Sequence, residues 1–524
     1  MLKNIKKDKK ALSLYILAGI FFFVYSFLSF GTFGEPMRFN SPDETANYFF
    51  AKKLAETGEP FYTEDQNLRA NDVIHPRSTK SIDGKVVPTS FLGMIIFYGF
   101  IAKILGTWVI PFLTPLIAVI GVLFFYLFLK NIFEEKVAYL SSIFLFFIPA
   151  YWYYSSKAMY HNVPFLVLLM VGFYLLSIQL KDKKRGKYIF FSGLFIGLAL
   201  TFRLSEIIWI FLVLFVIGFY YFNKIKTKKI LLFGLGLLLP LALMFFYNSI
   251  LYSSPFSSGY VNQNNQDQNK SIFVSIYNLI LPFGFNIKAI IKNFLNYFLF
   301  IFWFFSVPAV VGFFVALKGK VAKKKKVYLV SYLALAVFLL VYYGSWQIKD
   351  NISFSSVTIG NSYVRYWLPM YVFALPFISI LILKLAKLSI LKNKIIYFFI
   401  AFFGLVSFNM VFVKGEECVL RVRDNILDYK KEAEQIYNIT EEDSVIISRY
   451  EDKVFFPDRK VVFFNPNNYG AFEGLVKIID ENRIYFYDKF IPQKDLDYIN
   501  NKKIKDLGLK VIKLDNYLYE VVKQ

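Results

Sequence analysis

Ser41-Pro42-Asp43-Glu44 stands just after the first hydrophobic stretch of the chain and carries two neighbouring carboxylates. As a helix start, Ser41 is the N-cap, Pro42 takes the first helical position and Glu44 closes a capping box. Asn47 follows Asp43 by four residues, so the two share a face with Phe50 and Leu54, and Gly58 ends the segment as its C-cap. A carboxylate at a helix N-terminus stays ionised and can take a proton from a hydroxyl or amine about 3 Å away. Asp43 is therefore the candidate general base. Glu44 either tunes it or is only a favourable first-turn charge, and Asn47 is a candidate substrate contact. A second chemistry is cationic. Arg365, in Tyr363-Val364-Arg365-Tyr366-Trp367-Leu368-Pro369, presents a planar guanidinium suited to a phosphate, with Tyr366 beside it. An arginine snorkelling beside an aromatic belt has the same signature. Arg203, between Phe202 and Leu204, sits where a charge is costly; Glu206 is its natural partner and a phosphate the alternative. His161 and Asn162 open an apolar stretch and are candidate polar contacts to a substrate.

These residues are set among membrane-length apolar segments. The chain has 524 residues, 56% hydrophobic and 20% aromatic, well above a soluble protein's share. Spans are predicted at about 11–30, 108–129, 137–156, 162–180, 188–202, 207–222, 230–252, 294–317, 327–347, 366–383 and 395–413, giving a polytopic α-helical membrane protein with about eleven crossings. The net charge of +23 would suit nucleic acid, but its distribution excludes that partner. Basic residues fill the loops 1–10, 181–187, 223–229, 318–326 and 384–394, one after every second span, which is the positive-inside pattern of cytoplasmic loops. The segment 31–107 carries 8 basic and 9 acidic residues, and 414–524 carries 19 and 21, so the excess belongs to the membrane part. Were 89–106 a crossing, every later basic loop would flip outside, so that segment is predicted as an interfacial or re-entrant helix. The N-terminus is then cytoplasmic and the C-terminus extracytoplasmic. A single cysteine, Cys418, excludes an intramolecular disulfide.

Three external regions interrupt the spans: 31–107, 253–293 (with the uncharged polar run 262–266 before Asp267) and 348–365. Chemistry is expected on that side. The predicted division is a transmembrane module, 1–413, and a soluble α/β unit, 414–524. In the latter, strand-like runs at Ser444–Ser448, Lys460–Phe464, Arg483–Asp488, 509–514 and 517–522 alternate with helical stretches near 424–437, 470–481 and 493–500. It is expected to be a structural or acceptor-positioning cap.

The order of these features resembles the GT-C superfamily of integral-membrane glycosyltransferases, in the branch of protein O-mannosyltransferases and lipid A aminoarabinose transferases. The resemblance rests on Pro42-Asp43-Glu44 with Asn47, Ala51, Leu54, Ala55 and Thr57-Gly58; on Lys85-Val86-Val87-Pro88 opening an interfacial helix that ends Leu105-Gly106; and on Arg365-Tyr366-Trp367-Leu368-Pro369. It covers roughly residues 10–415. It implies a polyprenyl- or dolichyl-phosphate sugar as donor, an extracytoplasmic protein, lipid or glycan as acceptor, and Lys85 as a donor-binding lysine. Where that branch carries an acidic residue, this chain has His161-Asn162, which removes a metal ligand; no metal or other cofactor is expected.

The resulting expectation is a hexosyltransferase of the cell membrane. Asp43, with Glu44, acts as base; Arg365, Lys85, Arg203 and Tyr366 hold the donor phosphate; Asn47, His161 and Asn162 contact substrate. A ligase or polymerase using lipid-linked oligosaccharides is the nearer alternative, though it would concentrate arginines and a histidine in one late external loop. A transporter or flippase would show opposed charges in mid-span and internal repeats, neither of which is evident.

Overall fold

The computed structural model describes residues 9–34, 36–181, 186–224, 226–257, 259, 281–348, 350, 356–465, 469–489 and 491–524. The polar run 262–266 with Asp267 lies outside the described residues, as do parts of the basic loops 1–10, 181–187 and 223–229 and of the segment 348–365. The first helices in chain order are α1 (Lys9–Gly31), α2 (Pro42–Thr57), α3 (Leu92–Leu105), α4 (Thr107–Lys130), α5 (Glu135–Phe147 and Pro149–Ser156) and α6 (Asn162–Leu180). Then come α7 (Lys187–Phe202), α8 (Leu204–Tyr221), α9 (Thr227–Tyr252), α10 (Ile287–Phe300 and Trp303–Leu317) and α11 (Lys323–Gly344). The last are α12 (Ser362–Tyr366), α13 (Leu368–Leu388), α14 (Asn393–Val413) and α15 (Val419–Tyr437), after which only short helices follow.

Among the described residues, eight helices are long and apolar enough to cross a bilayer, or ten when α5 and α10 each count as one bent span. The chain is a multi-pass membrane protein. Two predicted straight spans are therefore broken. The α5 halves meet at 53°, where Ile148 is extended (ψ 123°) ahead of Pro149, as the residue before a proline must be. The α10 halves meet at 101°, across Ile301-Phe302. The remaining expected span, 188–202, is α7: its 16 residues reach about 24 Å, short of the ~30 Å hydrocarbon core.

By internal contacts the chain divides into two compact units: Met1–Ser29, Phe112–Met244 and Gln263–Arg421 in the first, and Phe30–Pro111, Phe245–Asn262 and Val422–Gln524 in the second. The first loop thus groups with the tail, whereas the sequence division drew a single line at 413/414. In the first unit, α6, α7 and α9 approach backbone to backbone. A Cβ at Gly193 or Gly197 would fall on the carbonyl oxygens of Phe233 and Leu237, and one at Gly236 on that of Phe190. Small residues spaced by four let helices pack this closely in lipid, where dispersion rather than hydrophobic burial drives association.

In the second unit, β1 (Tyr62–Thr63), β2 (Thr79–Ile82) and β3 (Lys85–Pro88) form an antiparallel sheet of order β1-β3-β2. Lys85-Val86-Val87-Pro88 is thus its central strand and not the start of a helix, which begins only at Leu92. The β2–β3 turn is Asp83-Gly84, both at positive φ (51° and 77°), as a type I′ hairpin requires. The Asp72 carboxylate braces it, accepting from the N–H groups of Asp83 (3.1 Å) and Gly84 (2.8 Å).

The tail sheet has order β5-β4-β6-β8-β7, from β4 (Val445–Ser448), β5 (Lys460–Phe463), β6 (Ile484–Tyr487), β7 (Leu509–Lys513) and β8 (Leu518–Lys523). β5, β4 and β6 run parallel, while β8 pairs antiparallel with both β6 and β7, so the sheet is partly parallel. Side chains alternate between its faces. Ile446, Val461 and Tyr485 pack with Ala433 and Ile436 of α15. Ile447, Val462 and Phe486 pack with Phe472 and Leu475, and with Ala70 and Ile74 of the first loop.

The close helix approach gives a direct test. Gly193→Ala is expected to destabilise the purified protein by about 1–3 kcal/mol through overpacking. Gly218→Ala, where a Cβ meets nothing within 4 Å, should leave the unfolding temperature unchanged or slightly raised.

Candidate functional site

In the second unit, α2 forms as its sequence dictates. Ser41 is extended (φ −119°, ψ 142°) and its hydroxyl accepts from the Asp43 N–H at 3.3 Å; Pro42 opens the helix; Gly58 closes it at φ 84°. The predicted polar face is real. Ser78 Oγ donates to Asp43 Oδ1 at 2.5 Å, and Ser90 Oγ donates to Asn47 Oδ1 at 2.8 Å. The two serines flank the β2–β3 hairpin, so one connector grips the helix at two points a turn apart. Phe50 and Leu54 continue the face into a cluster with Val86, Val87 and Leu92. Glu44 is 2% exposed, unlike a solvated capping carboxylate. Lys85 holds its ammonium 4.2 Å from the centre of the Phe61 ring.

Ser78 is itself held in place. It has φ 60°, a conformation costly for a residue with a Cβ. On its other side Arg77 binds Asp452 of the tail through Nε–Oδ1 (2.8 Å), Nη2–Oδ1 (2.5 Å) and the backbone N–H to Oδ2 (2.7 Å). Asp452 is fully buried. His75, two residues earlier, extends the tail sheet by pairing in parallel with Val462, its carbonyl accepting from the Phe463 N–H. Burial lowers the His75 pKa, keeping the ring neutral, and Nδ1 lies 3.0 Å from the Pro76 carbonyl.

The two arginine candidates lie in the first unit. Asn361 caps α12, its Oδ1 accepting from the Tyr363 N–H at 2.9 Å, and Asp350 braces Asn361 Nδ2 (2.6 Å) and the Ser362 N–H (3.0 Å). Arg365 Nη2 donates to Ser362 Oγ at 2.7 Å, and its guanidinium lies 4.8 Å from the Tyr160 ring centre and 5.2 Å from that of Tyr366. The guanidinium of Arg203 comes to the same Tyr366 ring at 4.8 Å, and Tyr343 stacks on it at 4.6 Å. Asn162 Nδ2 donates to the Arg365 carbonyl at 3.0 Å. His161 precedes it and is buried. Arg365, Tyr366, Arg203 and Asn162 thus form one cluster, although 203 residues separate Asn162 from Arg365 in the chain.

Arg203 also has the partner expected for it. Its Nε and Nη2 reach Glu206 Oε1 at 2.9 and 2.8 Å, and Tyr343 OH (2.6 Å) and Trp209 Nε1 (2.5 Å) donate to the same carboxylate. Beside this lies a set that sequence reasoning passed over. Lys157 is buried, with its ammonium 5.6 Å from the Tyr160 ring centre. Glu417 accepts from the Thr358 hydroxyl, and burial raises its carboxyl above the usual range against the lowering pull of that bond and of Lys157. Tyr154 OH donates to the Gly360 carbonyl at 2.8 Å. No local spacing announces Glu417, because its partner is 59 residues away. For Ser78 the only local signal is the turn-forming run before β2. Among the described residues no three His, Cys, Asp or Glu side chains group as a metal cluster would.

Glu206 is the hub of a buried network, so its loss strands a cation. Glu206→Gln is expected to cost about 3–5 kcal/mol of stability, read as an early thermal unfolding transition of the detergent-purified protein.

Comparison with known proteins bears on the fold. Residues 94–247 match the family model described as dolichyl-phosphate-mannose-protein mannosyltransferase, a stretch that includes His161, Asn162 and Arg203 but not Asp43, Lys85 or Arg365. No curated protein matches the chain. Among solved structures, ArnT from Cupriavidus metallidurans bound to undecaprenyl phosphate is similar at TM-score 0.57 and 10% identity, over 97% of each chain. Its apo state gives 0.56 and 11%, again over 97% of each. The archaeal oligosaccharyltransferase AglB from Archaeoglobus fulgidus, in complex with an inhibitory peptide and a dolichol-phosphate, gives 0.50 and 11%, over 99% of this chain and 75% of that one. The chain therefore has the GT-C fold, and its resemblance to that superfamily runs through the mannosyltransferase family model and ArnT.

Proposed function

We propose that this protein transfers a monosaccharide from a polyprenyl- or dolichyl-phosphate donor to an acceptor outside the membrane. The observation that carries the reading is the pair of guanidinium groups, Arg203 and Arg365, brought to one tyrosine ring on a membrane-embedded GT-C fold. Arg203 is paired with Glu206, and Arg365, held on Ser362 and the Tyr160 and Tyr366 rings, is assigned to the anionic lipid head. A lipid phosphate accumulates charge as the bond from the sugar's anomeric carbon to its oxygen breaks, and preorganised cations stabilise that charge most where water is scarce. Tyr366 and Asn162 shape the same site.

Asp43 is the base in this reading. It takes the proton of the acceptor hydroxyl or amine as that group attacks the anomeric carbon; the electron pair of the broken bond leaves with the phosphate. A single displacement inverts the anomeric centre. Ser78 holds Asp43 by Oδ1, and Asn47 is fixed by Ser90 on the same face. Glu44, His161 and Lys85 enter as secondary contacts, Lys85 from a strand rather than a helix. The step is proposed as metal-independent, the phosphate charge being met by guanidinium groups. The basic loops face the cytoplasm, and the tail and site lie on the other side. The ArnT structure bound to undecaprenyl phosphate supports the donor class.

Membranes supplied with radiolabelled polyprenyl-phosphate sugars test the reading. Asp43→Asn should lower transfer by about 10²–10⁴-fold while donor binding persists. Arg365→Ala should weaken donor binding by roughly 10–100-fold, the worth of a charge-assisted contact. Full activity in Asp43→Asn, or unchanged donor affinity in Arg365→Ala, overturns the assignment of that residue.

A further inference from the structure

At the bundle end that carries the basic loops, seven helices line two apolar slots that the proposed reaction does not use. The first lies among Phe128 of α4, Phe173 of α6, Val213 of α8, Leu335 of α11 and Phe373 of α13. The second lies among Ile189 of α7, Leu214 and Gly218 of α8, and Ile230 and Phe233 of α9. Neither is sealed: the roughly 790 Å³ of empty space at each includes space open to the surroundings. Leu176, Leu180 and Ile217 line both, so the slots stand side by side with a common wall.

A lysine belongs to each lining, Lys324 to the first and Lys229 to the second. Lys324 Nζ donates to the Asn131 carbonyl at 3.2 Å, an uncharged partner. Its neighbours cap the end of α8: Lys323 lies 5.2 Å from the Tyr221 ring centre and Lys326 5.9 Å from that of Tyr220. Of the nearby carboxylates, Glu135 is held by Lys130 at 2.8 Å and Lys10 at 3.7 Å, and Glu134 acts on Lys325. Two hydrocarbon slots sharing one wall, each with a cation in its lining, match a molecule with two chains joined at an anionic head. A polyprenyl phosphate has one chain and would fill one slot.

We propose that this end of the bundle binds an anionic diacyl phospholipid, one acyl chain in each slot and the phosphate taken by Lys324 and Lys229. Basic pockets between helices on the cytoplasmic side recognise such head groups by this combination of charge and apolar depth. The binding is independent of the transfer reaction.

Native mass spectrometry of the full-length detergent-purified protein tests it. Dioleoylphosphatidylglycerol should be retained at least about tenfold better than dioleoylphosphatidylcholine, and better than lysophosphatidylglycerol. Lys229→Ala with Lys324→Ala should weaken retention about 25-fold, roughly fivefold for each lysine. Leu176→Trp, which fills both slots from the shared wall, should do the same with the lysines intact. Equal retention of the zwitterionic lipid or of the single-chain lipid overturns the proposal. So does displacement of phosphatidylglycerol from the wild-type protein by an equimolar amount of undecaprenyl phosphate, which would make the slots a seat for the donor's tail. These competitions use the unaltered chain, so a variant that fails to fold does not decide the matter.

Discussion

The bond between Arg77 and Asp452 fixes what the rest of the second unit can do. It joins the first long loop to the tail, two parts of the chain 375 residues apart. Asp452 is fully buried, and a carboxylate there is tolerated only because the guanidinium and the Arg77 N–H together satisfy it. That constraint propagates one residue along the chain. With Arg77 pinned on one side and the Ser78 carbonyl accepting from Thr89 on the other, Ser78 is held at φ 60° with its hydroxyl on Asp43. Strain of this kind persists only where the surroundings over-determine it.

The first unit solves a different problem, the cost of charge in a low-dielectric region. Arg203 is nearly buried, yet its guanidinium has Glu206, Tyr343 and the Tyr366 face as partners, and Glu206 is saturated by Tyr343 and Trp209. Aromatic rings recur as counter-surfaces: Tyr160 and Tyr366 for Arg365, Tyr153 and Tyr160 for Lys157. A ring face attracts a cation without neutralising it. A guanidinium packed this way keeps its charge for an anionic ligand, whereas one paired with a carboxylate gives most of it up. Arg203 is of the second kind, held by Glu206, and it shares the Tyr366 ring with Arg365.

What the sequence disclosed and what it hid follow from the range of the interactions. The start and stop of α2 were legible because Ser41, Pro42 and Gly58 act on backbone within a turn of themselves. The apolar spans were legible because hydrocarbon thickness sets their length, and the tail strands because short β-branched and aromatic runs stand out between turn-forming residues. The shared face of Asp43 and Asn47 was legible too, being pure helix geometry. The partners on that face were not, since Ser78 and Ser90 come from a hairpin whose register is tertiary. Lys85-Val86-Val87-Pro88 is a strand where a helix start is expected, because Val86 pairs on both sides, with Tyr62 and Ser81. The breaks in α5 and α10 were hidden within continuous hydrophobicity, although Pro149 marks the first of them.

The pairing of first loop and tail changes what kind of object the tail is. A soluble domain appended to a membrane module should close its own core, and this one does not. Ala70 and Ile74 lie among its buried residues, Gly474 leaves room for the Ala70 carbonyl by lacking a Cβ, and His75 adds itself to the β5 edge. An exposed parallel edge strand is a hazard that proteins cover; here the cover is the segment that leads directly into Arg77 and Ser78. The same backbone that completes the tail sheet therefore sets the position of the hydroxyl on Asp43. The residues that close the tail's core and those that shape the carboxylate's surroundings are thus neighbours on one short stretch of backbone, His75 to Ser78.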